Sequence, residues 1–161
     1  MTERDYNNCV SAHADGVYRF ILKNLQHDED ARDVVQSAFE KMWMNREQVN
    51  VATAKSYLFT VAYNQMIDHI RKNKRIVLQD EFNEKAKIDK GEIPSFKKEL
   101  EKALQQLTPL QKSLILLKDY EGYSYEEIGK ITALNASQVK VYLHRARIQL
   151  KEIVGKLENI I

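Results

Sequence analysis

The chain has few of the residues that break helices or form covalent crosslinks. Its 161 residues include five glycines, two prolines and a single cysteine, Cys9. One cysteine excludes an internal disulfide and a zinc cluster built from cysteines. Because glycine and proline punctuate turns, their scarcity beside abundant Leu, Lys, Glu and Gln favours an all-α protein.

Long apolar runs are also missing. No stretch approaches the ~18 consecutive apolar residues of a membrane-spanning helix. The first residues, MTERDYNNC, lack the apolar centre of a secretory signal. We therefore expect a cytoplasmic protein without direct membrane insertion. Hydrophobic residues still form 43% of the chain, enough for a buried core.

Motifs of catalysis and metal binding are absent as well. We find no Gly-rich phosphate loop, no HExxH, no CxxC and no nucleophile elbow. His144 has no second metal ligand at helical spacing. The sequence therefore predicts no enzyme, no metal site and no cofactor.

Charge is unevenly distributed although the formal net charge is only +2. Basic residues concentrate at 69–75 (HIRKNKR) and at 135–156, whereas acidic residues collect at 28–33 and 80–101. A small net charge does not indicate nucleic-acid binding. The segregation of basic from acidic residues along the chain, however, predicts separate cationic and anionic surfaces.

The N-terminal half predicts three amphipathic helices, at about 6–25, 28–46 and 53–72. Gly16 lies inside the first and either weakens it or marks a break. Residues 79–95 are charged, carry Gly91 and Pro94, and are interpreted as part of a flexible linker. The second helix has apolar residues at the spacing i, i+3, i+4: Ala31, Val34, Val35, Ala38, Phe39 and Met42.

The C-terminal part predicts four helices, the last two in a helix-turn-helix. Thr108-Pro109 is a helix start, with Thr as N-cap and Pro at the first helical position. Ser124 and Glu127 have the spacing of a capping box, and Asn135 and Gln138 repeat it. Two helix starts separated by a short helix and a turn of three or four residues are typical of helix-turn-helix geometry.

The last helix has one apolar and one polar face. Ser137 and Gln138, beside free helix-terminal amides, suit phosphate contacts. Lys140 and His144 suit base edges, and Val141 suits a thymine methyl group. The alternative is a solvated basic face on a packing helix. The apolar face comprises Val139, Leu143, Ala146, Leu150, Ile153 and Leu157, and the opposite face comprises Ser137, Lys140, Val141, His144, Arg145 and Lys151, with Arg147 at its edge.

Several segments, in this order, resemble the sigma-70 family of bacterial sigma factors. DARDVVQSAF at 30–39 resembles the core-polymerase-binding motif, and YLFTVAYN at 57–64, followed by Asp68 and Arg71, resembles the adjoining promoter-melting helix. LTPLQ at 107–111, GYSYEEIG at 122–129 and residues 139–147 resemble the C-terminal sigma domain. Two such domains with only a linker between them resemble the extracytoplasmic-function class, over residues 13–155.

The resemblance implies a domain organisation and a function. Residues 1–76 would form a sigma-two domain that binds core polymerase and the minus-10 element, and 77–95 the linker. Residues 96–161 would form a sigma-four domain that binds the minus-35 element. The protein would direct RNA polymerase core to promoters and help to melt the minus-10 element. Its partners would be the clamp helices of the largest polymerase subunit, promoter DNA and an anti-sigma factor.

The resemblance also implies site residues in the first domain. At the polymerase contact it places an acidic strip: Asp30, Asp33, Gln36 and Glu40. For the strip, a solvated helix face is the alternative. At the minus-10 element it implies a loop at about 46–54 and a flipped base read there and by Asn64. Aromatic faces and cations for the single strand would come from Tyr57, Tyr63, Arg71, Lys72, Lys74 and Arg75. Thr60 and Asn64 complete the minus-10 set. Tyr57 and Tyr63 equally fit core positions with a wet hydroxyl.

Two departures from the family pattern concern the bases read at the minus-35 element. Gln138 and Val141 stand where the family often has Thr and Ser, and Ala133 where a Gly is frequent. A stand-alone helix-turn-helix regulator with a sensory N-terminal domain is the competing interpretation. It explains residues 108–156, but it leaves the acidic strip and the 64–75 face without a purpose.

Overall fold

The computed structural model describes residues 1–79 and 96–160, in which helices and turns but no strands occur. The all-α prediction is confirmed. Within these residues no helix is long and apolar enough to cross a membrane. Residues 77–79 of the predicted linker are helical and belong to the third helix, and residues 80–95 lie outside the described residues. The helices are α1 (Glu3–Leu25), α2 (Asp28–Met44), α3 (Ala54–Gln79), α4 (Phe96–Leu104), α5 (Pro109–Ile115), α6 (Tyr125–Thr132) and α7 (Ala136–Ile160), with a 3-10 turn at Val51–Thr53 and a π-helical turn at Leu116–Tyr120.

Helices α1 to α3 form a three-helix bundle. Helix α1 begins earlier than predicted because Thr2 and Asp5 form a capping box. It runs unbroken through Gly16, so the break considered from the sequence does not occur. The predicted apolar stripes of the three helices meet in the core, whose largest fully buried members are Phe20, Ile21, Met42, Leu58, Phe59 and Met66.

The ends of α2 and α3 differ from the predicted ones. Helix α2 ends at Met44, and the Asn45 amide closes its last turn on the Lys41 and Trp43 carbonyls. Helix α3 continues to Gln79 rather than ending at Lys72. Residues 73–79 contain neither Gly nor Pro, so no residue terminates the helix there.

Helices α4 to α7 form a second bundle around buried leucines and isoleucines. Thr108 and Gln111 form a complete capping box with Pro109 in the first turn, as the start signal predicted. The predicted single helix before Gly122 ends at Ile115 and continues as the π-helical turn. There the Glu121 amide donates to the Leu116 carbonyl at 2.9 Å, a wider turn than α-helical bonding allows.

The two bundles pack against each other through α3 with α6 and α1 with α5. Their buried side chains form one continuous core cluster. The rings of Phe59 and Tyr123 meet edge to face across this boundary, with centroids 5.1 Å apart. The sequence did not predict this packing.

Candidate nucleic-acid interface

Side-chain caps position both helices of the helix-turn-helix. Asn135 Oδ1 accepts from the Gln138 amide at 2.8 Å, and Gln138 Oε1 accepts from the Asn135 amide at 2.9 Å. This capping box is complete, as predicted. Ser124 Oγ accepts from the Glu127 amide, but the Glu127 carboxylate bonds the Ser124 hydroxyl instead of its backbone amide. The Ser124–Glu127 capping box therefore lacks its return bond to the backbone, although Ser124 still caps α6.

The turn between α6 and α7 comprises three residues, within the predicted range. Ala133 adopts a left-handed conformation, with φ of 62°, where the family often has glycine. The Leu134 amide bonds the Gly129 carbonyl at 2.9 Å. A Cβ at Gly129 would overlap the Leu134 carbonyl oxygen. The absent side chain at Gly129 therefore allows the turn to fold back closely onto α6.

The predicted DNA-facing side of α7 is exposed, and its opposite side is buried. Val139, Leu143 and Ala146 are at most 1% exposed, and they anchor α7 to α5 and α6. Val141 is 47% exposed, so its apolar side chain is accessible on this face. The other exposed residues of this face are Ser137, Gln138, Lys140, His144, Arg145 and Lys151.

A tyrosine that the sequence analysis overlooked borders this face. The Tyr125 ring lies 5.3 Å from Lys140 Nζ and 4.5 Å from Lys118 Nζ. Cation–π attraction therefore holds both ammonium groups beside the start of α7. Lys118 also donates to the Tyr123 carbonyl at 3.2 Å. Lys118 and Lys140 are far apart in sequence, so helical periodicity could not group them.

Arg147 is directed differently from Arg145. Its Nε donates to Asp119 Oδ2 at 3.2 Å, and its terminal nitrogen bonds the other carboxylate oxygen. The hydrogen bonds that Arg147 donates to the Asp119 carboxylate raise the pKa of Arg147 above its ordinary value. Arg145 has no hydrogen bond or ion pair to another residue of the described ranges. Of the two arginines, Arg145 has the free guanidinium.

The predicted minus-10 residues divide between the surface and the core. Asn64, Arg71, Lys72 and Lys74 are exposed along α3, whereas the Arg75 side chain lies outside the described residues. The Arg71 guanidinium lies 3.4 Å from the carboxylate of Asp68, which is one turn earlier on α3. Together the exposed residues form a polar and mainly cationic surface at the C-terminal half of α3.

The aromatic and hydroxyl members of that set are less accessible. Tyr63 is 8% exposed, and burial raises the pKa of its hydroxyl, which agrees with the core alternative. Tyr57 is half-buried, and its hydroxyl accepts from Asn45 Nδ2 at 3.2 Å. Thr60 donates to the Ser56 carbonyl one turn back. Of the two tyrosines expected to stack on bases, only Tyr57 is therefore partly accessible.

The loop at 46–54 presents apolar groups at one end of the first bundle. The Arg46 guanidinium lies 3.9 Å from the centre of the Trp43 ring and donates to the Trp43 carbonyl. Val49 is buried and fixes the loop to the bundle. Met44 and Val51 are 79% and 58% exposed. Met44 lies just before the loop and Val51 within it, and exposed apolar side chains of this kind can contact an unpaired base.

The acidic strip lies along the outside of α2, away from the core. Asp33, Gln36 and Glu40 are exposed, and Gln36 donates to Glu40 Oε1 at 3.2 Å. Asp30 is half-buried between His27 and His69, with Oδ2 3.3 and 3.1 Å from their ring nitrogens. No cluster able to hold a metal occurs among the residues that the structure describes.

Comparisons with known proteins agree with this geometry. The sigma-70 region 2 family model matches residues 9–76, and the sigma-70 region 4 model matches residues 97–150. The RNA polymerase sigma factor SigV of Bacillus subtilis is 35% identical over 88% of this chain and 89% of its own. The ECF RNA polymerase sigma factor SigM of the same organism is 25% identical over 89% of this chain and 91% of its own.

A solved structure matches the two bundles together. The sigma factor RpoE of Bartonella quintana, in complex with the anti-sigma factor NepR, superposes with a TM-score of 0.78. The two proteins are 25% identical, and the match covers 94% of this chain and 98% of RpoE. The chain therefore belongs to the sigma-70 family of RNA polymerase sigma factors, and within it to the extracytoplasmic-function class.

Proposed function

We propose that this chain directs RNA polymerase core to two-element promoters and helps to separate the DNA strands at the minus-10 element. The observation that carries the proposal is the presence of three distinct exposed surfaces on one small chain. They are the acidic strip on α2, the cationic surface at the C-terminal half of α3 and the polar face of α7. A stand-alone DNA-binding regulator needs only the last of these.

The face of α7 would read the minus-35 duplex. Lys140 and His144 lie one turn apart and would reach base edges, while Val141 would contact a thymine methyl group. Ser137 and Arg145 would contact phosphates, beside the helix N-terminus and further along the groove respectively. Gln138 would contribute its side-chain NH2 group, because its carbonyl oxygen is engaged in the cap. Arg147 would hold this face in position through its ion pair with Asp119.

The first bundle would engage the melted minus-10 strand. Asn64 would bind an extruded base together with the 46–54 loop, and Arg71, Lys72 and Lys74 would neutralise strand phosphates. Arg75, Tyr57 and Thr60 complete the proposed set, whereas Tyr63 would support α3 from the core. Stabilising extruded bases favours the open duplex, since the energy of unstacking is then recovered in protein contacts.

The acidic strip would bind polymerase rather than DNA, because carboxylates repel phosphates. Charge reversal by Asp33→Arg and Glu40→Arg should therefore reduce co-purification with core polymerase at least tenfold. It should leave duplex binding by α7 unchanged. Glu29→Arg is the matched control, since Glu29 is an exposed acid in the first turn of the same helix, outside the strip.

Core dependence of promoter binding tests the whole proposal. A two-element promoter can be selected from randomised duplexes with the reconstituted holoenzyme. Binding of that duplex should then be measured with core alone, with the chain alone and with both. We expect tight binding and unpaired thymines in permanganate footprinting only with both. Equally tight and specific binding by the chain alone would instead support the stand-alone regulator.

An anti-sigma factor is the further partner that we propose. The support is that the matching RpoE structure was solved with such a protein bound. Co-purification of the tagged chain from its own cells, followed by transcription with and without the captured protein, tests this partner. Capture of a protein that does not inhibit transcription would contradict it.

A further inference from the structure

The C-terminal end of α1 is capped by side chains of the second bundle. Lys112 Nζ donates to the Asn24 carbonyl at 2.8 Å and to Gln105 Oε1 at 2.6 Å. Ser113 Oγ donates to Asn24 Oδ1 at 3.2 Å. Gln105 Nε2 donates to the Lys23 carbonyl at 3.0 Å. These carbonyls belong to the last turn of a helix, where no intrahelical donor is available.

A paired arginine and glutamate connect the middle of α1 to the second bundle. Arg19 donates two hydrogen bonds of 2.9 Å to the Glu121 carboxylate. The Glu121 side chain is only 7% exposed. Gly16 lies beneath it, since a Cβ at Gly16 would stand 3.5 Å from Glu121 Oε1 and 3.8 Å from Phe59. A methyl group would fit at this position in ordinary contact, whereas a larger side chain would meet Glu121.

The packing has one built-in cost. The Tyr123 hydroxyl is buried without a hydrogen-bond partner within the described residues, although its ring packs on Phe59. Burying an unsatisfied hydroxyl is unfavourable, and separation of the bundles would relieve this cost by letting water hydrate the group. Specific hydrogen bonds therefore hold the two bundles together, while the unsatisfied Tyr123 hydroxyl opposes their packing.

Promoter geometry requires the bundles to separate. Elements centred near minus 10 and minus 35 lie about 25 base pairs apart, or about 85 Å at about 3.4 Å per pair. A compact chain of this length has a radius of gyration of about 15 Å. The packed chain is thus too small for α3 and α7 to reach both elements of one duplex at the same time.

We propose that the packing of the two bundles is an autoinhibited state of the free chain, held by the Arg19–Glu121 pair over Gly16 and by the Lys112 cap on α1. This inference rests on the proposed two-element function. In the packed state the acidic strip and the α7 face remain exposed, so polymerase and single elements can still bind. Engagement of both elements waits for the interface to open.

Variants at the interface test the proposal in the full chain. Arg19→Glu places two like charges together, and Gly16→Leu occupies the space under Glu121. Both should raise the radius of gyration in small-angle X-ray scattering. Both should also accelerate open-complex formation with core at least threefold. Gly16→Ala is the matched control, because its methyl group makes only ordinary van der Waals contacts, and Arg19→Glu with Glu121→Arg should restore the compact state.

A crosslink supplies the opposite test. In a Cys9→Ser background, Arg19→Cys and Glu121→Cys joined by a short bismaleimide should retain upstream-duplex binding but lose promoter opening. Two results would overturn the inference while leaving the proposed function intact. One is a free wild-type chain whose radius of gyration shows separated bundles. The other is a set of variants whose bundles separate without faster open-complex formation. If the free wild-type chain is compact but its holoenzyme does not open promoters, the result would instead count against the proposed function. Upstream-duplex binding by each variant shows that its second bundle is folded.

Discussion

The Arg147 guanidinium is held by the Asp119 carboxylate through hydrogen bonds from two of its nitrogens. Asp119 lies in the π-helical turn and Arg147 in α7, so the pair connects two elements of the second bundle. A bidentate arginine–carboxylate pair adds geometric specificity to the charge attraction. Arg147 therefore orients α7, whereas the exposed Arg145 guanidinium remains available for an external contact.

The two arginines should consequently give different phenotypes. Arg145→Ala should weaken binding to all upstream duplexes alike and should lower the log–log salt slope by about 0.9 for one lost phosphate contact. It should not change the melting temperature. Arg147→Ala should lower the melting temperature of the chain, and Asp119→Ala should reproduce that effect. Fluorescence anisotropy across a salt series and thermal unfolding provide the two measurements. An unchanged melting temperature for both Arg147→Ala and Asp119→Ala would contradict the orienting role.

Two helical glycines should respond oppositely to the same substitution. Gly129→Ala should destabilise the chain by about 1–3 kcal/mol, because its methyl group overlaps the Leu134 carbonyl. Gly155→Ala meets nothing within 4 Å and should stabilise α7 by about 0.5–1 kcal/mol. Thermal or urea unfolding measures both. A neutral Gly129→Ala would mean that the turn does not need this close approach.

Removing the Tyr123 hydroxyl should stabilise the packed chain. Tyr123→Phe deletes a buried group without a partner and keeps the ring contact with Phe59. We expect a higher melting temperature and slower promoter opening. Tyr6→Phe is the control, because the Tyr6 hydroxyl donates to the Phe39 carbonyl at 3.0 Å, so its loss should destabilise. Faster promoter opening by Tyr123→Phe would contradict the packing account.

Interface stability should rise with pH above neutrality. Burial lowers the pKa of Lys112 to about 8 from its ordinary value of 10.5. The packed state thus releases its proton first, and packing is favoured increasingly as pH rises from about 8 toward 10.5. The slope is at most on the order of 1 kcal/mol per pH unit. The radius of gyration of Arg19→Ala should therefore fall between pH 7.5 and 9.5. The same measurement on Arg19→Ala with Lys112→Met should show no such fall, and a matching fall there would exclude Lys112 as the cause.

Local signals in the sequence predicted the second bundle well. Thr108 with Pro109, and Asn135 with Gln138, form the helix starts that their spacing indicates, since capping depends on residues three positions apart. The buried and exposed faces of α7 followed from periodicity for the same reason. The π-helical turn was not predictable, because its wider bonding has no residue pattern of its own.

Contacts between distant residues were beyond sequence reasoning. Arg19 and Glu121 are 102 positions apart, and nothing in either neighbourhood indicates the other. Gly16 was interpreted as a possible helix break because its effect on helix propensity is local. Its position beneath Glu121 depends on tertiary packing. Tyr63 illustrates the same limit, since an aromatic residue on α3 fits either stacking or the core until its burial is known.

Transcription started by purified components tests the central claim most directly. Core polymerase, fragmented DNA from the chain's own genome and nucleotides should be incubated with and without this protein, and transcript 5′ ends should be mapped. We predict a discrete set of starts only when the protein is present, each preceded by the same two elements. Asn64→Ala with Arg71→Ala should abolish these starts while sparing core binding. Starts that are identical with and without the protein would contradict its assignment as a promoter-directing subunit.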